Sequence, residues 1–93
     1  MKSSDLKSSE ILRLSRTKKN LTLRQLGHLI GYNHSYISQI EKGMKIPSDQ
    51  IARKMATILE IDFENLREIL EDERYEEMTS KIKNRFGKTN SAT

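Results

Sequence analysis

The segment LTLRQLGHLIGYNHSYISQIEKG, from Leu21 to Gly43, sets the interpretation of the whole chain. Its apolar residues recur three and four positions apart, a spacing that predicts two short helices. Gly31 falls between them and is expected to end the first helix. The second helix combines the apolar residues Ile37 and Ile40 on one side with hydrogen-bonding side chains on another. Such a helix can pack against a core and still present polar side chains to a nucleic-acid groove.

Polar residues stand where the helices are expected to begin. Ser8 or Ser9 can cap a first helix that runs to about Lys19. Thr22 is followed three residues later by Gln25, which is the spacing of a capping box. Further N-caps are expected at Asn33, Ser48 and Asp62. Five successive helical segments, with no alternating strand-like pattern, predict an all-α fold.

The apolar positions of these segments predict the core. They recur at helical spacing, as expected for amphipathic helices that bury one side. They are Ile11, Leu12, Leu14, Leu23, Leu26, Leu29, Ile30, Ile37, Ile40, Ile51, Met55, Ile58, Leu59, Phe63, Leu66, Ile69 and Leu70. A chain of 93 residues, of which 34% are hydrophobic, allows one small domain with short loops.

Charge is distributed unevenly along the chain. Residues 1–60 contain 11 Lys/Arg and 5 Asp/Glu, residues 61–80 contain 2 and 8, and residues 81–93 contain 4 and none. This basic, acidic, basic order indicates a basic binding domain followed by an element with another task. The absence of cysteine excludes disulfides and fits a reducing cytoplasm. No apolar run is long enough for a membrane span or a signal peptide, so a cytoplasmic location without membrane contact is expected.

Several segments, in order and at matching spacing, resemble one family of DNA-binding proteins. The run Ser35–Gly43, SYISQIEKG, follows a Leu-Thr opening and precedes a Pro-Ser loop at positions 47 and 48. An apolar helix comes next. This pattern resembles the lambda-type repressor/Cro (XRE) helix-turn-helix family over roughly residues 10–70. The resemblance implies a five-helix, lambda-repressor-like DNA-binding domain that usually acts as a dimer on a palindromic operator.

The chain accordingly divides into four parts. Residues 1–8 are expected to be a flexible N-terminus and residues 9–70 the helix-turn-helix DNA-binding domain. Residues 71–86 are expected to form an acidic, C-terminal helical extension, and residues 87–93 a disordered tail.

The start of the motif's second helix supplies the candidates for reading bases. When such a helix enters the major groove, its first residues lie nearest the base edges. Gln39 can bond bidentately to adenine, and His34 can donate to guanine. The alternative for His34 is a solvated residue at the helix end. The base-reading candidates are Asn33, His34, Ser35, Ser38 and Gln39.

A second group of residues can bind DNA phosphates. Thr22 stands at a helix N-terminus, where hydrogen-bond donors favour an anion. The resemblance implies backbone contacts beside Gly43. The phosphate-binding candidates are Thr22, Arg24, Gln25, Tyr36, Lys42 and Lys45. For Tyr36 the alternative is half-buried packing, and His28 is expected to lie at the surface without a role.

The resemblance also implies a structural ion pair between Arg16 and Glu41. Removing one partner of a buried pair costs more stability than breaking a surface pair. The chain departs from the family at Leu23, where Gln is common, and at Gly27, where Ala is usual. Glycine there keeps the two helices close but lowers helix stability.

The acidic segment Glu71–Glu77, EDERYEE, leads into an apolar stripe that a compact domain does not require. The stripe recurs at helical spacing and consists of Tyr75, Met78, Ile82 and Phe86. It is expected to serve dimerisation or to receive a regulatory protein. The alternatives are a solvated helix and an acidic segment that folds back on the basic surface and competes with DNA.

The sequence therefore predicts a sequence-specific regulator that binds double-stranded DNA, a homodimeric repressor of phage, mobile-element or bacterial type. The alternative is a helix-turn-helix protein-interaction module (antitoxin, antirepressor or adaptor) that works through its C-terminal helix. No enzymatic activity is expected, since the chain has neither a glycine-rich phosphate loop nor a catalytic constellation. No cofactor or metal is expected, because nothing completes a ligand set around His28 and His34.

Overall fold

The computed structural model of the protein describes residues 6–91, with side chains for residues 6–82. Five α-helices follow one another: α1 Ser8–Lys18, α2 Leu23–Ile30, α3 His34–Glu41, α4 Asp49–Leu59 and α5 Phe63–Ser91. Residues 6–91 contain no strand. The predicted all-α, five-helix architecture with a C-terminal helical extension is thus confirmed.

One hydrophobic core joins all five helices. The fully or nearly fully buried apolar residues are Leu12, Leu26, Ile30, Ile37, Ile40, Ile51, Ala52, Met55, Ala56, Leu59, Leu66 and Leu70. Burying one large aliphatic side chain stabilises a fold by about 1.5–3 kcal/mol, so a core of this size holds a small domain together. Among the described side chains of the long helix α5, Leu66 and Leu70 in its first turns are buried in this core, and Phe63 packs against it.

Two leucines predicted to be in the core are exposed. Leu14 is 47% exposed and Leu29 is 55% exposed. Successive residues of an α-helix are rotated by about 100°, which places Leu14 roughly 200° around α1 from the buried Leu12. The buried side of α2 is formed by Leu26, Gly27 and Ile30, which leaves Leu29 outside it. The core prediction was wrong at both positions because the spacing alone did not fix which side of each helix meets its neighbours.

Side-chain caps fix the starts of four helices. The Thr22 hydroxyl accepts from Gln25 N at 3.0 Å, and Gln25 Oε1 accepts from Thr22 N at 2.8 Å. Asn33 Oδ1 accepts from Ser35 N at 2.7 Å, which starts α3. Ser48 and Asp62 accept in the same way from Ile51 N and Glu64 N. The predicted capping box and the three predicted N-caps are confirmed.

The start of α1 differs from the prediction. Lys7, not Ser8 or Ser9, occupies the N-cap position, and its backbone N–H donates to Glu10 Oε1 at 3.1 Å. Ser8 is the first residue of α1 and is buried. Both its N–H and its hydroxyl donate to the carboxylate of Glu73 on α5. Ser8, predicted to be the last residue of the flexible N-terminus, is instead the first residue of α1, and residues 1–5 lie outside the described part of the chain.

Helix α5 is continuous and longer than expected. It runs to Ser91, past the predicted end at residue 86, so most of the segment predicted as a disordered tail is helical. Residues 92 and 93 lie outside the described residues. A single glycine such as Gly87 costs a helix only about 1 kcal/mol, which does not by itself end it.

The first half of α5 is tied to the rest of the domain. Besides the contact between Glu73 and Ser8, Arg74 Nη2 donates to Pro47 O and to Asp49 Oδ1, each at 2.8 Å. Phe63–Ser91 is one unbroken helix that packs on α1 and α4, and its acidic part lies beside Lys45. The alternative in which the acidic segment competes with DNA for the basic surface stays a prediction. Within residues 6–91, no helix combines the length and the apolarity needed to cross a membrane.

Candidate nucleic-acid interface

The turn between α2 and α3 brings the two helices unusually close at Gly27. A Cβ atom built on Gly27 would overlap the carbonyl oxygen of Tyr32 and lie 3.4 Å from His34 N. Tyr32 N donates to Gly27 O at 2.8 Å, and Gly31 ends α2 in the left-handed conformation at φ 81°. Glycine at position 27 is therefore required by this turn, which explains the departure from alanine noted in the sequence.

Four of the predicted base readers share one surface. His34, Ser35, Ser38 and Gln39 line a shallow cleft along α3, and Leu23, Lys42 and Met44 complete its lining. The opposite side of α3 carries the buried Ile37, Ile40 and Glu41. The helix is thus fixed by its inner side while its polar side stays open, which is the arrangement that reading a major groove requires.

Asn33, the fifth predicted base reader, has a structural task. Its side-chain oxygen is the N-cap acceptor for Ser35 N, and it does not line the cleft of the other four. It borders a second shallow concavity instead, together with Arg24, His28, Tyr32 and His34. His34 therefore stands between the two concavities.

The second concavity contains a group that the sequence reasoning missed. His28 was given no role, yet it lies beside Arg24 and His34 in the same depression. Arg24 and His28 are four residues apart, so they share one side of α2, and that spacing was the available signal. Hydrogen-bond donors from both helices meet there.

The predicted phosphate ligands do not form one group. Lys42 is exposed and borders the base-reading cleft. Lys45 is also exposed but borders a different cleft, between the start of α1 and α5, which includes Glu73, Glu76 and Glu77. The two lysines thus have different electrostatic surroundings, since only Lys45 faces the acidic part of α5.

The predicted ion pair between Arg16 and Glu41 is present. Arg16 Nε and Nη2 donate to Glu41 Oε2 and Oε1 at 2.7 and 3.0 Å, and Nη1 donates to Leu21 O at 2.6 Å. The Glu41 side chain is only 5% exposed and that of Arg16 is 13% exposed. This bidentate pair ties the C-terminal end of α3 to α1 and to the entry of α2.

Tyr36 packs beside the turn. Its ring stacks on that of Tyr32, with 5.1 Å between the ring centroids, and it is half-buried. Burial raises the pKa of the Tyr36 phenol above its ordinary value, and the neighbouring Tyr32 adds to the shift. The hydroxyl therefore stays protonated at neutral pH and can donate a hydrogen bond.

Among the residues that the structure describes, no three His, Cys, Asp or Glu side chains converge so as to hold a metal ion. The candidate interface is made of hydrogen-bonding and cationic side chains on α2, α3 and the loop after α3.

A family model described as helix-turn-helix matches residues 12–66, from the second turn of α1 to the first turn of α5. No curated protein matches the chain. The match includes every candidate contact described above and leaves the acidic part of α5 outside it.

Proposed function

The chain belongs to the XRE type of the helix-turn-helix family and is a DNA-binding regulator, and on that premise we propose that it is a dimeric transcriptional repressor. In this proposal each copy places α3 in the major groove of one half of a palindromic operator. Two copies then occupy successive grooves, ~34 Å apart on one side of the duplex. Repression follows because the bound dimer blocks access of RNA polymerase to an overlapping promoter.

The observation that supports the proposal most strongly is the shared cleft along α3. His34, Ser35, Ser38 and Gln39 line it together, although they are spread over six residues of sequence. In the proposal, Gln39 bonds to the N6 and N7 atoms of an adenine, and His34 donates to a guanine. The two serines are short enough to reach either a base edge or a phosphate.

Phosphate contacts complete the proposed complex. Lys42 borders the base-reading cleft, so it is the first candidate for a phosphate on its rim. At the start of α2, the side chains of Thr22 and Gln25 accept hydrogen bonds from each other's backbone N–H groups. The other backbone N–H groups of this first turn can then donate to a DNA phosphate. Arg24, Tyr36 and Lys45 remain further proposed phosphate ligands.

Selection of duplexes from a random library with the full-length protein tests the proposal. We expect enrichment of a palindromic sequence whose half-sites are about one helical turn apart. Binding to the selected duplex should weaken steeply as salt is raised, because phosphate contacts release counterions. Recovery of no common sequence, with a folded protein, would overturn sequence-specific operator binding.

A second candidate function is suggested by the part of α5 that the family match leaves out. Tyr75, Met78 and Ile82 are exposed there, which favours a protein-interaction module such as an antitoxin, antirepressor or adaptor. Gel shift on the DNA upstream of the protein's own gene separates the two functions. The repressor predicts a specific shift with the protein alone, and the interaction module predicts none.

A further inference from the structure

We propose that two copies of this chain pair through α5 in an antiparallel arrangement, with the acidic half of each helix beside the basic half of the other. The contact surface is the α5 stripe, defined as Tyr75, Met78 and Ile82. The side chain of Phe86, the fourth residue of the predicted stripe, lies outside the described residues. The proposal deepens the dimeric function above and rests on it for its biological purpose. The pairing itself can be tested without DNA.

The α5 stripe faces away from the domain. Tyr75, Met78 and Ile82 are 64%, 50% and 46% exposed. At about 100° per residue, the three cluster on the side of α5 opposite the buried Leu66 and Leu70. Three large apolar side chains on one exposed side of a helix indicate a contact surface rather than isolated surface residues.

Hydrogen bonds to the domain fix the direction in which the stripe points. Glu73 is held by Ser8, and Arg74 is held by Pro47 O and Asp49. These contacts lie immediately before Tyr75, so α5 cannot rotate to bury its stripe against its own domain. From Leu70 to Ser91 the helix continues for a further ~30 Å, at about 1.5 Å per residue.

The charges along α5 indicate that the occupant is a second copy. Residues 71–77 contain five Asp/Glu and one Arg, whereas residues 81–91 contain four Lys/Arg and no Asp/Glu. The three residues between them, 78–80, are uncharged. A parallel pair would place like charges side by side, whereas an antiparallel pair places opposite charges together.

The uncharged residues 78–80, between the acidic and basic parts of α5, also fix the register of the two paired helices. A two-fold axis at the uncharged centre, near Thr79, places Tyr75 of one copy against Ile82 of the other. Met78 then packs beside the axis against Met78 and Thr79 of the second copy. The apolar stripe and the charge pattern therefore select the same alignment, although they are independent features of the sequence.

Cysteine trapping in the full-length protein tests this alignment, because the natural chain has no cysteine. Met78→Cys should form a disulfide-linked dimer under mild oxidation, since the two positions meet near the axis. Tyr75→Cys alone and Ile82→Cys alone should not form a disulfide-linked dimer. In each variant the new cysteine of one copy would lie about 10 Å along the helix axis from the same cysteine of the other copy. A mixture of those two variants should link. Efficient linking of Tyr75→Cys alone would indicate parallel pairing and overturn the proposal.

Light scattering of the unmodified protein provides the second measurement. Ile82→Ser should weaken self-association roughly tenfold or more, because the side chain is lost from both copies. Raising the salt concentration should also weaken the dimer, because salt screens the attraction between opposite charges. Leu14→Ser is the matched control, since Leu14 is similarly exposed at 47% but lies on α1.

The outcomes separate this inference from the proposed function. A folded protein that remains monomeric at high micromolar concentration, or a dimer unaffected by Ile82→Ser, would overturn the pairing. If that protein still selects a palindromic duplex, operator binding stands and only the α5 pairing is wrong. If the dimer forms as described but no duplex is selected, the pairing stands and the repressor proposal fails.

Discussion

Glu73 accepts hydrogen bonds from both the backbone N–H and the hydroxyl of Ser8, at 2.7 and 2.6 Å, although the two residues are 65 positions apart. A carboxylate from α5 thus occupies the N-terminal end of α1, where the helix dipole favours a negative charge. Lys7 occupies the N-cap position, but its side chain cannot accept a hydrogen bond from the backbone N–H groups at the start of α1. The contact supplies that cap and also joins the acidic part of α5 to the DNA-binding domain.

Glu73→Ala should lower the free energy of unfolding by about 1–2 kcal/mol, which is the usual effect of losing an N-cap acceptor. The loss leaves the buried Ser8 without its partner. Urea unfolding followed by circular dichroism measures the change. Glu68→Ala, at an exposed position of the same helix, is the control and should change stability by less than about 0.5 kcal/mol. Equal effects of the two substitutions would show that the cap is unimportant.

Glu41→Ala should destabilise the protein by about 3–5 kcal/mol, because it leaves the largely buried Arg16 without its bidentate partner. Lys19→Ala, which breaks an exposed pair with Glu60, should cost less than about 1 kcal/mol. Thermal unfolding of the two variants under the same conditions makes the comparison. If Glu41→Ala has the same melting temperature as the unmodified protein, the pair of Arg16 with Glu41 has no role in holding α3.

Gly27→Ala tests the close approach of α2 to the turn. Helix propensity alone favours alanine by about 1 kcal/mol. The added Cβ would overlap the Tyr32 carbonyl oxygen, and such overpacking typically costs about 1–3 kcal/mol. We expect a net loss of stability and a lower melting temperature. The sign of the change is decisive, since a raised melting temperature would mean that the turn relaxes without cost.

Gln39→Ala and Lys42→Ala should weaken DNA binding in different ways. Loss of a bidentate base contact at Gln39 should cost about 1–3 kcal/mol on the selected operator and relax the preference at one base pair. Loss of a phosphate contact at Lys42 should weaken all duplexes alike and reduce the salt dependence. Fluorescence anisotropy with the operator and its single-base variants distinguishes the two patterns. Wild-type affinity in both variants would reject the proposed docking of α3.

Much of the fold could be predicted because its signals are local. The capping box of Thr22 and Gln25 and the N-cap of Asn33 depend on residues two or three positions apart, and all three residues are placed as expected. The same is true of the spacing that put Leu26, Ile30, Ile37 and Ile40 in the core. The pair of Arg16 with Glu41 is not local, and it was anticipated through the resemblance alone.

Other features could not be predicted, because they depend on how helices distant in sequence pack together. Leu14 and Leu29 have the same spacing as core residues, yet both are exposed, since the neighbouring helices pack on other sides of α1 and α2. Lys45 was grouped with Lys42 from sequence, but the path of α5 places acidic residues beside it. His28 lies beside Arg24 through local helical spacing, but it meets His34 only because the turn folds α3 against α2.

The sequence by itself thus determined five helices, the caps of α2 to α5 and the polar side of α3, because hydrogen bonds within a few residues and helical periodicity are properties of short segments. The tertiary structure alone decided that Glu73 caps α1 and that the α5 stripe faces away from the domain. The reason is physical: a helix has several sides, and only packing against the other helices decides which of them is buried.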